Sequence, residues 1–178
     1  MQLFHFSDDP GIGLFTPRPV LVPSIRPPGR EWLNGPLVWA IDDWHQPMYF
    51  FPRDCPRILI WATPQTSIED HERHWRGSRS RIITFVEKAW LAKLRAATIW
   101  RYELPAATFA SLQDAGMWVS DAPVRPLRKD LIADMVSALE VSNVELRPVE
   151  DFSGLRHLWS TSLHASGIRL RNAAGWNG

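Results

Sequence analysis

Glu87-Lys88-Ala89-Trp90-Leu91-Ala92-Lys93-Leu94-Arg95-Ala96-Ala97-Thr98-Ile99-Trp100-Arg101-Tyr102-Glu103-Leu104 changes its periodicity partway along. Over residues 87–96, Trp90, Leu91 and Leu94 recur at helical spacing and share one face, which predicts a helix. From Thr98 to Leu104 the chain alternates with period two. That puts Ile99, Arg101 and Glu103 on one side of a strand and Trp100, Tyr102 and Leu104 on the other, with Pro105 as its stop. Working outward, apolar runs bounded by turn residues predict strands over residues 3–7, 36–41, 57–62, 81–86, 116–119 and 144–149. About seven strands and four or five helices, without the strict alternation of a doubly wound sheet, define an α+β protein.

The remaining segments carry less regular signals. Residues 11–35 hold five prolines and four glycines, which exclude a regular helix and predict a long extended loop of the kind that often carries function. A short helix is expected over 44–51, stopped by Pro52, and a short exposed one over 67–76, where Ser67 stands three residues before Asp70. A helical turn is expected over 106–112. Leu131, Ile132, Met135, Val136 and Leu139 sit at helical spacing and predict a helix over 129–139. Leu155, Leu158, Trp159 and Leu163 do the same for a last long helix over 150–164, before a terminal strand at 168–170.

The 178 residues fit one globular domain, and 45% hydrophobic with 22% charged residues is ordinary usage for a chain that buries a core. Twenty Lys+Arg against nineteen Asp+Glu give a net charge of +1, which lacks the basic footprint of a nucleic-acid protein. No apolar run reaches the ~18 residues of a membrane helix, and Met1-Gln2-Leu3-Phe4-His5 lacks the basic and apolar regions of a signal peptide, so a cytoplasmic protein is expected. The single cysteine, Cys55, allows no internal disulfide and no Cys-rich zinc site. Ten tryptophans predict aromatic clusters.

Familiar chemical motifs are missing. Gly11-Ile12-Gly13 lacks the third glycine of a dinucleotide fingerprint, and no phosphate loop ending in Gly-Lys exists. His71-Glu72-Arg73-His74 spaces its histidines at i,i+3 rather than the i,i+4 of a zinc helix, so a solvated face is expected there and no metal. Arg53-Asp54, between Pro52 and Pro56, reads as a rigid loop able to offer a guanidinium to phosphate, as does Arg18 after Thr16-Pro17. Arg169, Arg171 and Asn172 form a second anion-binding set.

One distributed constellation carries more. Leu3-Phe4-His5-Phe6-Ser7, then Val38-Trp39-Ala40-Ile41-Asp42 with Tyr49-Phe50-Phe51, then Trp100-Arg101-Tyr102-Glu103-Leu104 and Trp118-Val119-Ser120 occur in an order that resembles the ADP-ribosyltransferase-like fold. The chain is also similar to a small bacterial family of unknown function that shares the His5-Phe6-Ser7 start, the Phe51-Pro52-Arg53-Asp54-Cys55-Pro56-Arg57 core and the Ile168-Arg169-Leu170-Arg171-Asn172-Ala173 end. The first resemblance implies a split, strongly twisted sheet with flanking helices and a cleft for NAD or a related nucleotide. It implies His5 on the ribose, Trp39 with Tyr49 or Phe50 around the base, Arg18 or Arg53 on phosphate, and transferase or glycohydrolase chemistry at a late-strand Glu. Gly116-Met117-Trp118-Val119-Ser120-Asp121 has no Glu there, which leaves Asp121 or Ser120, or Glu103 on the preceding predicted strand, as its substitute. The alternative is a non-catalytic domain whose Trp-rich surface engages another protein.

Overall fold

A computed structural model describes residues 1–176 of the protein. Helices and sheets are mixed as α+β, and the chain packs into two compact units that it visits alternately. Residues 1–46 and 100–131 form the first, and residues 47–99 and 132–176 the second.

The sheet of the first unit is built on β1 (Leu3–Ser7), β2 (Val38–Asp42), β5 (Thr98–Leu104), β6 (Ala110–Ser111), β7 (Met117–Ser120) and β8 (Arg128–Ala133). Their order is β6-β7-β2-β1-β5-β8, which puts β1 in the interior between two antiparallel partners. The period-two alternation of β5 is realised in its packing. Tyr102 and Leu104 join Leu3, Val38 and Ala40 in one apolar cluster, with Phe15 from the long loop laid over it. The Tyr102 hydroxyl donates to the Asp9 carbonyl at 2.6 Å and accepts from the Ile12 N–H at 3.3 Å, so a buried phenol fixes the start of that loop. A smaller cluster of Leu33, Leu37 and Val119, with Trp39 against it, also lies in this unit.

The second unit holds β3 (Arg57–Trp61), β4 (Ile82–Glu87), β9 (Val144–Val149) and β10 (His164–Ile168) in the order β10-β3-β4-β9. The central pair, β3 and β4, is buried at every position. Their continuous apolar runs are therefore what a strand covered on both faces requires. β4 and β9 run parallel, with Phe85 opposite Arg147. Three helices complete the unit: α1 (Ile68–Trp75), α2 (Leu91–Ala96) and α3 (Met135–Val141). Ser67 caps α1 through the Asp70 N–H, as the capping-box spacing predicts.

Five expectations need correction. Residues 129–139 are not one helix: β8 occupies the first half, and Asp134, at φ 46°, breaks the chain before capping α3 through Ser137. Its apolar residues at 131 and 132 fit strand and helix alike, and tertiary pairing decides. Residues 150–164 form a 3-10 helix at Ser153–Ser160 and then enter β10, because His164 pairs with and stacks on Trp61 at 4.1 Å. The helix expected over 44–51 is a short 3-10 turn at Gln46–Tyr49, and the helical turn over 106–112 gives way to β6. The terminal strand at 168–170 is a 3-10 turn at Leu170–Asn172, β10 having already ended at Ile168.

Candidate functional site

The residues singled out by sequence fall in both units. In the first, His5 sits half-buried on β1, its ring 4.7 Å from Phe15 and its Nδ1 2.8 Å from the Trp39 carbonyl oxygen. A carbonyl only accepts, so Nδ1 carries the proton and the neutral ring has its lone pair on Nε2. Alternation places the Trp39 indole on the opposite sheet face, with Leu37 and Val119, while His5 shares the face of Leu3, Tyr102 and Phe15. The structure thus joins His5 to the backbone of Trp39 and does not bring the two rings together. The Trp39 Nε1 is buried without a partner, and the Arg26 guanidinium lies 5.8 Å from its ring. Arg18 is exposed, its backbone bridged to Leu37. Asp121 is exposed just past β7, while the neighbouring Ser120 hydroxyl is buried and donates to Thr108 at 2.9 Å.

Tyr49, Phe50 and Arg53 belong to the second unit. Phe50 is buried, and Tyr49 lies 5.6 Å from the guanidinium of Arg57. Burial raises the Tyr49 hydroxyl above its ordinary range, although Arg57 and Arg169 work against it. The two arginine sets read from sequence do meet. Arg169 Nε donates to the Arg53 carbonyl at 3.2 Å, and Asn172 Nδ2 donates to that of Asp54 at 2.8 Å. Cys55 is buried beneath them, its thiol pushed up to about 12 chiefly by desolvation, so it stays protonated at neutral pH.

Two arrangements had no clear sequence signal. In the first unit, Asp42 Oδ1 accepts from both the backbone N–H and the ring Nδ1 of His45, each at 2.8 Å. Burial works to raise the Asp42 carboxyl, but the His45 bonds outweigh it and hold it below the usual range. Gly116, at φ 67°, closes against this pair, where an added Cβ would come within 2.2 Å of His45 Nδ1. An Asp-x-x-His spacing at a strand end is common enough that it attracts no notice in a sequence.

The second arrangement is a cavity of about 460 Å³ within the second unit. Arg73 and His74 reach it from α1 and Arg76 from the residue that ends that helix. Arg147 comes from β9 and His157 from the Ser153–Ser160 turn. Phe85, Leu155 and Leu158 supply its apolar part. His74 is only 9% exposed, and its Nε2 is buried with no hydrogen-bond partner. The imidazoles of His74 and His157 stack 5.8 Å apart at 19°. Arg147 donates to Glu145 at 2.7 Å and to the His74 carbonyl at 2.7 Å, and Arg73 pairs with Glu69 at 2.8 Å. Arg76 uses its Nε on the Arg73 carbonyl at 3.1 Å and meets no carboxylate among the described residues. Sequence reading placed 67–76 on a solvated face. His71 does stack on Trp75, but His74 turns inward to a histidine 83 positions later, a pairing no local pattern announces.

Fold and cavity together define an α+β protein with a concave, arginine- and histidine-lined site. The chain belongs to a family of unknown function, DUF6886, whose model matches residues 4–173. No curated protein and no solved structure matches it.

Proposed function

We propose that this protein binds a small organic anion of the nucleotide class, with the Arg73–Arg76–Arg147 cavity as the site. The observation that carries the reading is a cavity lined by three arginines and two histidines, where Arg76 meets no carboxylate among the described residues. Guanidinium forks match phosphate oxygens, and Phe85, Leu155 and Leu158 suit the flat or apolar body of such a ligand. The ADP-ribosyltransferase-like reading of the fold has in its support two separate sheets and a histidine on the first strand. NAD therefore stays among the ligands to try. The Trp39 indole, on the sheet face opposite His5, argues against one ligand with its ribose at His5 and its base at Trp39, and no transfer step is included.

A second reading, a non-catalytic interaction domain, is favoured by the apolar residues that the long loop leaves in solvent. Leu21 is 91% exposed and Ile25 104%, with Val22 and Trp32 also more than half exposed. One experiment separates the two. Trp75 ends α1 beside the cavity residues His74 and Arg76, so intrinsic fluorescence is titrated with NAD, ADP-ribose, AMP and nicotinamide. The expected result is a saturable change with the phosphate-bearing compounds, none with nicotinamide, and weakening of about tenfold or more in Arg76→Ala. A folded protein that responds to none of them overturns the anion site and leaves the interaction domain.

A further inference from the structure

We propose that the long loop of the first unit docks on an anionic bilayer surface, with Leu21, Val22 and Ile25 entering the headgroup boundary and Trp32 and the loop's arginines at its polar edge. The proposal is independent of the anion cavity, which belongs to the second unit.

Composition sets the loop apart. Residues 10–30 hold Arg18, Arg26 and Arg30 and not one Asp or Glu, in a chain with nineteen acids. The bounding acids are Asp8 and Asp9 before it and Glu31 after it, and Asp9 already accepts from the Gly11 N–H at 2.7 Å. Residues 18–32 therefore keep two positive charges in excess, which the net +1 of the whole chain conceals. Arg18 and Arg30 are exposed, and Arg26 is half-buried with its guanidinium 5.8 Å from the Trp39 ring. Among these charges stand the two most exposed large apolar side chains of the described residues, Ile25 at 104% and Leu21 at 91%.

The loop is fastened in the shape that presents them. Asn34 Oδ1 accepts from the Ser24 N–H and from Arg26 Nε, both at 3.3 Å, while its Nδ2 donates to the Ser24 carbonyl at 2.8 Å. The Val20 N–H donates to the Asn34 carbonyl at 3.3 Å, and that of Arg30 to the Pro27 carbonyl at 3.0 Å. Pro19, Pro23, Pro27 and Pro28 have no N–H to satisfy. A backbone donor stripped of water is costly near lipid, so a segment with few bare donors is suited to shallow entry. The prolines and the Asn34 clamp also reduce the entropy lost on docking.

Shape favours lipid over a protein partner. A side chain with nearly all of its surface in water projects from the fold, and a protein must bring a matching pocket for each such projection. The lipid boundary takes projecting groups of any shape, and its anionic headgroups attract the arginines around them. A half-exposed tryptophan next to the apolar tips is the side chain such a boundary favours. No helix among the described residues is long and apolar enough to cross a membrane, so the contact is superficial, about 5–10 Å deep.

Co-sedimentation with vesicles of phosphatidylcholine, alone or with about 30% phosphatidylserine, makes the test. Expected is binding at least about tenfold tighter to the anionic vesicles, weakened as strongly by about 0.5 M salt. Leu21→Asp with Ile25→Asp should weaken it at least about tenfold, and so should Arg18→Gln with Arg30→Gln. Anionic vesicles should shift the tryptophan emission to the blue, by less in Trp32→Phe. All five side chains are exposed, so each variant should keep the wild-type Tm, and lost binding then reports the surface rather than the fold. Equal binding to both kinds of vesicle, or binding that the Leu21–Ile25 variant retains, overturns the proposal. Failure to sediment with either kind does the same, and self-association lost in the Leu21–Ile25 variant would then make a second copy of the chain the occupant.

Discussion

Arg101 in the first unit and Arg57 in the second are both drawn inward, and they are held in different ways. Arg101 is half-buried, bonded to Gln46 and Asp130 at 3.0 Å each, with Phe4 5.0 Å from its guanidinium. Arg57 is 3% exposed and has no acid as partner among the described residues. It donates to the carbonyls of Met48 at 2.8 Å and Cys55 at 3.0 Å and lies 4.9 Å from the Phe51 ring. Desolvation brings it down to about 10, so it remains charged at neutral pH. In the first unit the arginine is a strut whose charge is cancelled where it stands. In the second, positive charge is kept without a matching carboxylate at Arg57 and again at Arg76. The second unit is therefore where an anion finds uncancelled charge, although the net charge of the chain is only +1.

The comparison breaks if the two arginines respond alike to truncation. Arg57→Ala leaves two carbonyls without their buried donor and removes the cation packed on Phe51 and Tyr49, a loss of about 3–5 kcal/mol. Arg101→Ala exposes a partner, Asp130, that already reaches water, and should cost about 1 kcal/mol. Urea unfolding of the two variants gives both numbers, and similar costs would show that Arg57 is as loosely held as its counterpart.

Next in size is a test of the first unit's own tight point. Gly116→Ala places a methyl group 2.2 Å from His45 Nδ1 and 2.7 Å from Asp42 Oδ1, on a backbone at φ 67° that Ala adopts poorly. The expected cost is about 2–3 kcal/mol in the same unfolding experiment, with the Asp42–His45 bond broken. A loss below about 0.5 kcal/mol would mean that the His45 ring swings away freely and that the pair is no fixed feature of the unit.

Local periodicity was a good guide where a segment has one buried face. The alternation of residues 98–104 and the strand runs expected over 57–62 and 81–86 translate directly into β5, β3 and β4. It failed where the deciding partner is distant. Residues 150–164 look helical until His164 is seen to stack on Trp61, and residues 129–139 look helical until Asp130 is seen to pair with Arg101. The site shows the same division. Arg53, Arg169 and Asn172 draw notice in the sequence because Pro-flanked and terminal arginines stand out, and the fold brings the two segments together. The Arg73–Arg147–His157 cavity was not legible. Its members come from four elements whose adjacency depends on the parallel pairing of β4 with β9, which follows from topology rather than from pattern.

The smallest expected effect is the most discriminating, since it separates stability from binding at a single residue. Arg76 ends α1 in the left-handed region at φ 44°, its N–H returning to the Glu72 carbonyl, where helices commonly place glycine. An arginine there costs roughly 1 kcal/mol relative to glycine, and its guanidinium gains no acid partner in return. Arg76→Gly should therefore stabilise the fold by about 0.5–1 kcal/mol and raise Tm by a few degrees. AMP binding should weaken by about tenfold or more in the same protein. Opposite signs in the two measurements would mark Arg76 as a residue held in a strained backbone for its side chain, as functional sites often require. If stability falls along with binding, Arg76 is a structural cap instead, and the contrast between the cancelled charges of the first unit and the retained ones of the second loses its sharpest example.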